Sequence, residues 1–181
     1  MNIGKNSLFV LVIAVTLIFG IGLFRYNGEY FTRKLYDAKS RDDKSGIIKC
    51  GKKAVNFVYT LDPTSVPISW YMGNAYSSVG DFQNAYAELK KAYLLNPFNR
   101  NVVNDLGSVF AVTGKADSAK IYYREASRIS PRFDDPKLNL VAIYINEKDF
   151  RRADSCLKTL LHDSERRTKY QQLVDALRGT P

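Results

Sequence analysis

The sequence predicts an all-α protein in which one membrane-spanning helix precedes a stack of helix–turn–helix units. Two observations predict this fold. Residues 7–24 form an uncharged apolar run, and prolines, glycines and alanines recur every 34 residues through the rest of the chain. Of the 181 residues, 45% are hydrophobic and 25% are charged, and only two are cysteines. This composition excludes a mostly disordered chain, a collagen-like chain and a disulfide scaffold, and the length favours about one domain.

The apolar run has the length of a membrane-spanning helix. Residues 7–24 read SLFVLVIAVTLIFGIGLF and contain no charge. A bilayer core requires about 17–25 helical residues, so these 18 are sufficient. Lys5 precedes the run, and Arg25, Tyr26 and Tyr30 follow it, which suits an aromatic and basic membrane interface. We therefore predict a retained single-pass anchor.

Two alternatives to a retained anchor stay open from the sequence. The first is a cleaved signal peptide, in which Gly20 and Gly22 would stand before the cleavage site. Against it, Leu23 and Phe24 follow where a polar region would be expected. The second is a buried helix of a soluble core, although no later segment offers an equally apolar surface to cover it.

Basic residues predict the orientation of this anchor. Lys5 is the basic side chain before the run, whereas six follow within about 20 residues, and they are Arg25, Arg33, Lys34, Lys39, Arg41 and Lys44. This distribution favours a cytoplasmic location for the domain that follows. A short, weakly basic N-terminus also occurs on anchors whose domain is exported, so a periplasmic domain is the alternative.

A 34-residue period organises the remainder of the chain. Pro63, Pro97 and Pro131 are each 34 residues apart. Six further pairs share this spacing: Gly73 and Gly107, Tyr76 and Phe110, Gly80 and Gly114, Ala85 and Ala119, Leu89 and Tyr123, and Ala92 and Ala126. We expect Gly80 and Gly114 to end a first helix in the left-handed conformation. Gly73 and Gly107, within helices, should let the partner helix approach closely.

These residues resemble the tetratricopeptide repeat family, whose unit is a 34-residue helix–turn–helix. The residues that match most strongly lie in 66–99 and 100–133, and a weaker unit covers 134–167. The basic juxtamembrane segment 25–65 holds a degenerate first repeat from Thr32, which keeps Gly46 and has Gly51 where alanine is expected. Residues 165–178 are predicted as the capping helix. The resemblance implies a right-handed solenoid of about three and a half repeats.

In this family, the first helices line a concave groove that receives an extended peptide or a helix of a partner. The resemblance places the following residues on that groove: Trp70, Asn74, Ser77, Asn104, Asp105, Ser108, Ala111, Leu138, Asn139 and Ala142, with Tyr36 and Ser40 extending it toward the membrane. Trp70 is the one large anchor, and the alternative is that it packs in the core. A clamp for a terminal carboxylate is disfavoured, because Asp105 neighbours Asn104 and no basic residue is expected on the groove.

Signals for catalysis, cofactors and metals are absent from the sequence. No glycine-rich phosphate loop, nucleophile elbow or metal-ligand spacing occurs, and His162 is the single histidine. The basic excess is greatest beside the apolar run, where residues 25–65 carry nine basic and five acidic side chains. It is neither gathered on one face nor interleaved with stacking aromatics. We therefore predict a protein without enzymatic activity that binds neither nucleic acid nor a small-molecule substrate.

Two functions of different class follow. The first is a membrane-anchored scaffold or adaptor that binds a segment of a protein partner in its groove. The second rests on a further resemblance: LDPTSVPISWYMG at 61–73, together with the apolar run and RYNGEY at 25–30, looks like the C-terminal region of bacterial O-antigen ligase-like proteins. This chain would then be a tail or accessory subunit of a glycan transferase system, and its partner would be a polytopic membrane enzyme.

Overall fold

The computed structural model describes residues 4–178, with the side chains of 5, 6 and 178 left aside. Within that range the fold is all-α, as predicted, and contains nine helices and no extended strand. The helices are α1 (Lys5–Ser40), α2 (Lys44–Ala54), α3 (Ile68–Ser78), α4 (Phe82–Leu95), α5 (Arg100–Val112), α6 (Ala116–Ile129), α7 (Asp135–Asn146), α8 (Phe150–Leu157) and α9 (Glu165–Arg178). The chain divides into two compact units, residues 1–80 and 81–181.

Helix α1 is long because the apolar run continues without a break into the first helical hairpin. Its residues from Leu8 to Phe24 expose most of their large apolar side chains, whereas Leu35 and Ala38 near its end are buried. Of the described helices, α1 alone is long and apolar enough to cross a membrane, and its most apolar stretch has no covering within the structure. Membrane anchors and signal sequences share these properties.

The first hairpin of unit 1 turns earlier than the 34-residue period places it. Gly46, which the period aligns with Gly80, lies inside α2, and the turn occupies residues 41–43. Asp42 takes the left-handed conformation there, with φ of 57°, and Asp43 caps α2 by accepting a hydrogen bond from the Gly46 amide. An aspartate tolerates this backbone better than most residues with a Cβ. The assignment of Gly46 to the turn is therefore wrong.

Glycine follows α3 and α5, the first helices of the two strongest repeats, as predicted. Gly80 has φ of 80° and Gly114 has φ of 77°, and a Cβ at either position would be strained. In the weaker third hairpin Lys148 takes this conformation, with φ of 58°. Aspartates start the second helices, since Asp81 accepts from the Asn84 amide and Asp149 from the Arg152 amide.

Each unit has its own apolar core. In unit 1 the side chains packed between α1, α2 and α3 include Leu35, Ile47, Ile68 and Tyr71. In unit 2 the corresponding cluster includes Tyr123, Val141, Leu157 and, from α9, Val174. Gly107 lies where α5 and α6 meet, because a Cβ there would be 3.0 Å from two ring carbons of Tyr123. This contact confirms the predicted close approach of the two helices.

Candidate functional site

A small cleft in unit 1 brings together two of the predicted groove residues. We call it the unit-1 cleft. It has a volume of about 120 Å³ and lies between the end of α1, the start of α2 and one side of α3. Its lining consists of Lys39, Lys44, Ile47, Trp70, Tyr71, Asn74, Ala75 and Ser78. Trp70 and Asn74 thus line one cleft, with Ser78 in place of the predicted Ser77.

Trp70 contributes to both the core and the cleft. Its ring meets the Tyr71 ring edge-to-face, with centroids 4.9 Å apart, and it packs against the unit-1 core while staying half-buried. The Lys39 ammonium lies 5.9 Å from the Trp70 ring centroid and 5.0 Å from that of Tyr71. A cation at this distance is attracted to the face of an aromatic ring. The cleft therefore combines an indole with a lysine, and sequence reasoning missed this lysine.

Lys39 was missed because the register of the first hairpin was misjudged. The 34-residue period puts the turn near Gly46, whereas α1 ends at Ser40, which brings Lys39 and Lys44 to the cleft rim. Ser40 itself donates a hydrogen bond to the carbonyl of Asp37. The sequence did carry one signal for the earlier turn. Aspartate is a favoured N-cap residue, and Asp43 lies three residues before Gly46, whose amide it accepts.

Tyr36, expected to extend the groove toward the membrane, is engaged inside unit 1. Its hydroxyl donates a hydrogen bond of 2.6 Å to Asp62, and the Tyr71 hydroxyl donates one of 2.7 Å to the same oxygen. The other carboxylate oxygen accepts from the Thr64 amide and hydroxyl and from the Val66 amide. Asp62 is only 5% exposed. This network ties the connector between α2 and α3, residues 55–67, to α1 through Tyr36 and to α3 through Tyr71.

Electrostatics in this network follow from burial and hydrogen bonding. Burial raises the pKa of Asp62, but the hydrogen bonds from Tyr36, Tyr71, Val66 and Thr64 outweigh it, so that the pKa lies below its ordinary value. Burial and the hydrogen bond to Asp62 raise the pKa of Tyr36 to about 12. The pKa of Tyr71 is raised further, chiefly by burial. The Asp62 carboxylate is therefore charged at neutral pH, and the tyrosine hydroxyls that donate to it are neutral.

In unit 2 the predicted groove residues form a chain of hydrogen bonds. The Asn139 amide nitrogen donates to the Asn104 side-chain oxygen at 3.0 Å, and the Asn104 amide nitrogen donates to Asp105 at 3.1 Å. Ser108 donates to the Asn104 carbonyl and accepts a bond from the Tyr123 hydroxyl. Asn104 is only 8% exposed. These amides thus connect α5 to α7.

Arg166, at the start of α9, completes this polar chain. Its guanidinium donates to the Asn139 side-chain oxygen and lies 5.6 Å from the Tyr170 ring centroid. The expectation that no basic residue reaches the groove is therefore wrong. It failed because the capping helix packs against α7 and α8 and brings its first turn to Asn139.

A second cleft, the unit-2 cleft, lies beside this chain. It has a volume of about 330 Å³, and its lining includes Asn139 together with Ala111 and Ala142, two further predicted positions. The rest of the lining is Val112, Ala116, Tyr123, Ile143, Asn146 and Glu147. Leu138 lies outside it, because its side chain is buried in the unit-2 core at 5% exposure. The cleft has apolar walls and a few polar groups, as peptide and ligand sites commonly do.

Asp134, outside the clefts, has structural partners on either side. Asp134 accepts hydrogen bonds from the amides of Leu161 and His162 and from the His162 ring, and it contacts Lys137. This holds the segment after α8 against the start of α7.

No group of three or more histidine, cysteine or acidic side chains that could hold a metal ion occurs in residues 4–178. Cys50 and Cys156 are free thiols.

Comparison with known sequences identifies one repeat. Residues 70–99, which include Trp70 and Asn74, match the sequence model of the tetratricopeptide repeat family. A TPR repeat-containing protein of Bacillus subtilis strain 168, YpiA, is 20% identical over 127 residues. That match covers 70% of this chain but only 30% of YpiA, so the chain spans less than a third of that relative's length.

Solved structures with similar folds include a tetratricopeptide repeat protein and a secretion chaperone. One from Parabacteroides merdae aligns with a TM-score of 0.73 at 17% identity, covering 85% of this chain and 61% of the other. The Yersinia enterocolitica type III secretion chaperone SycD, in complex with a peptide of the translocator YopD, aligns with a TM-score of 0.55 at 13% identity. That alignment covers 61% of this chain and 89% of SycD. At sequence identities of 17% and 13%, these alignments show that the folds are alike and nothing about function.

Proposed function

We propose that this protein is a membrane-anchored interaction module that binds a segment of a partner protein. The helical-hairpin fold, the repeat at 70–99 and the two clefts support the proposal. The similar chaperone SycD holds a peptide of another protein. In this proposal the chain itself performs no catalysis, and its anchor confines the binding surface to the membrane.

The unit-1 cleft carries the proposal, because it places Trp70 beside Asn74 and the cation of Lys39. Aromatic anchors in partly buried sites supply much of the binding free energy at protein interfaces. Asn74 lines the same cleft, and a side-chain amide is a group that recognises a peptide backbone. Lys39 and Lys44 at the rim favour a partner segment that carries an acidic side chain.

Capture from native membranes tests this function. The full chain, solubilised in detergent, is compared with its Trp70→Ala and Trp70→Ala/Asn74→Ala variants. We expect a discrete partner with the wild type and at least a tenfold lower yield with the double variant, since a buried aromatic anchor contributes about 2 kcal/mol or more. Phe98→Ala is the matched control, because it removes an exposed aromatic side chain from unit 2.

Melting of unit 1 separates binding from folding. If Trp70→Ala lowers the melting temperature and the captured yield in parallel, Trp70 belongs to the core and the cleft assignment fails. If the double variant retains the partner fully, the contact lies elsewhere on the chain. The resemblance of 61–73 to O-antigen ligase-like proteins makes a polytopic glycan transferase one partner to look for in the captured fraction.

The anchor is the second part of the proposal. We propose that residues 7–24 span the bilayer and, from the excess of lysine and arginine after them, that both units face the cytoplasm. N-terminal sequencing of the mature chain distinguishes an anchor from a signal sequence, since cleavage near Phe24 would remove the run. Protease access in intact and opened cells then reports the side of the membrane.

A further inference from the structure

The connector of unit 1 returns to α1 at the end of the apolar run. The Asn56 side-chain amide donates a 3.0 Å hydrogen bond to the carbonyl of Phe24, and the rings of Phe24 and Phe57 meet edge-to-face with centroids 4.8 Å apart. Tyr59, three residues after Asn56, packs against Gly28 of α1. A Cβ atom at Gly28 would lie only 2.4 Å from the tyrosine ring. The absence of a side chain at Gly28 therefore lets the connector lie directly on the helix.

The part of the connector that touches α1 is a tight turn with an apolar tip. Asn56 and Tyr59 exchange two backbone hydrogen bonds, and the Asn56 side chain accepts a third from the Val58 amide. Phe57 and Val58 form the tip, and Phe57 is 75% exposed. These bonds pair the backbone of Asn56 and Tyr59 and the amide of Val58, which lowers the cost of placing the turn in an environment poor in water.

The position of the tip along α1 matches a membrane interface. If residues 7–24 span the hydrocarbon core, Phe24 lies at its edge, and Tyr30 lies about 9 Å beyond it along the helix. The interfacial layer on each side of a bilayer is about 5–7 Å thick, so the tip at Phe24 falls in this layer. Tyr26, about 3 Å beyond Phe24, is exposed near the level of the tip, and Tyr30 is exposed beyond it, at the outer side of the layer.

Arg25 directly follows the run and pairs with Glu29 beside the turn, and further cations lie on the side of the turn away from the apolar run. The Lys34 ammonium is 4.8 Å from the Tyr30 ring centroid, and the Lys53 ammonium, just before the connector, is 5.2 Å from that of Phe31. Lysines at this height would face the headgroups of the lipid, where anionic phosphates attract them. Along α1, the apolar tip is thus followed by the exposed tyrosines and then by the lysines. A membrane surface presents acyl chains, the interface and the headgroups in the same order.

We propose that the turn at residues 56–59 inserts into the membrane interface beside α1, burying Phe57 and Val58 among lipid acyl chains. The proposal rests on the proposed anchor and adds a second membrane contact to it. Two points of attachment, the helix and the turn, would fix the tilt and rotation of unit 1 on the bilayer. A single flexible anchor would leave both free.

Fluorescence quenching by lipid tests the insertion. The full chain with Cys50→Ser and Cys156→Ser receives one new cysteine, labelled with the environment-sensitive dye NBD, at Phe57, Phe98 or Val15. Each variant is reconstituted into vesicles of phosphatidylcholine and phosphatidylglycerol at 3:1 that carry nitroxide-labelled lipid. Phe98 is the matched control, because its 73% exposure nearly equals that of Phe57. Val15 lies in the proposed span and reports the anchor.

We expect the Phe57 label to be blue-shifted and quenched several-fold more strongly than the Phe98 label, with the shallow nitroxide more effective than the deep one. Equal quenching at Phe57 and Phe98, with strong deep quenching at Val15, would overturn the insertion while leaving the anchor intact. An unquenched Val15 label would overturn both. A blue-shifted Phe57 label that lipid does not quench would mean that protein covers the turn, and the proposal would also fail. Circular dichroism confirms that all three variants fold.

Discussion

The two units link consecutive helices in different ways. In unit 2, α4 and α5 are linked by residues 96–99, and Gly107 lets α5 and α6 approach closely. In unit 1, α2 and α3 are linked by the longer connector 55–67, which is fixed by the buried carboxylate of Asp62. Unit 1 also has close approaches at glycine, since Gly28 lies against Tyr59 and Gly51 against Met72. What differs is the connector, which in unit 1 is long and held by a polar network. That connector also gives unit 1 the turn that reaches α1.

The largest effect is expected from removal of the carboxylate in unit 1. Asp62→Ala leaves the Tyr36 and Tyr71 hydroxyls and the Val66 amide without their acceptor. Buried groups left unpaired cost about 1–3 kcal/mol each, and partial relaxation makes a total of about 3–4 kcal/mol reasonable. Hydrogen exchange of the full chain in detergent micelles should be more than 100-fold faster in the connector and α3. Exchange in α7 and α8 should not change.

Asp43→Ala is the matched control for this variant, because it also removes an aspartate that accepts backbone bonds in unit 1. Asp43 is an exposed helix cap, so its loss should cost only about 1 kcal/mol and affect α2. If both variants destabilise unit 1 equally, the connector does not depend on the buried network, and the contrast between the units is wrong.

A smaller effect, in the other unit, is expected from Gly107→Leu. Tyr123 ring carbons already lie 3.0 Å from the place where a Cβ would be, and the Tyr122 Cβ lies at 3.2 Å. Overpacking of this kind costs about 1–3 kcal/mol. Exchange should accelerate by roughly tenfold or more in α5 and α6, with unit 1 unaffected. Unchanged exchange in α5 would show that the close approach at Gly107 is not required.

Much of the fold could be predicted, because a few positions carry strong local constraints. Gly80 and Gly114 do end helices with positive φ, and the apolar run is one exposed helix. The register of the first hairpin could not be predicted from the period, because Asp42 adopts the left-handed turn that glycine adopts elsewhere. A non-glycine residue in this conformation has no strong sequence signature. The resulting shift of the turn moved Lys39 into a position that no repeat pattern assigns.

The candidate site was predictable only in part. Trp70 and Asn74 do lie on one cleft, and Asn139 lines the other with Ala111 and Ala142. Leu138 is instead buried, and Asn104 bonds to Asn139. The sequence places residues on a helix face but does not reveal which polar side chains bond to one another. The contact of Arg166 with Asn139 depends on how α9 packs, which a periodic pattern that ends before α9 does not contain.

The smallest effect is the dependence of unit 1 on acid. The pKa of Asp62 is lowered in the folded chain, because hydrogen bonds to its carboxylate outweigh the effect of burial. The stability that this charge contributes is therefore fully present above the unfolded pKa of about 3.9 and is lost as pH falls through the folded pKa.

Trp70 is the only tryptophan, so its fluorescence during urea unfolding reports unit 1. The stability gap between wild type and Asp62→Asn should be constant from pH 7 to 5 and shrink below about pH 4. Asp134 in unit 2 also has a lowered pKa, and Asp134→Asn should leave the Trp70 transition unchanged at every pH. A gap that persists undiminished at pH 3 would mean that the charge on Asp62 is not what stabilises the connector.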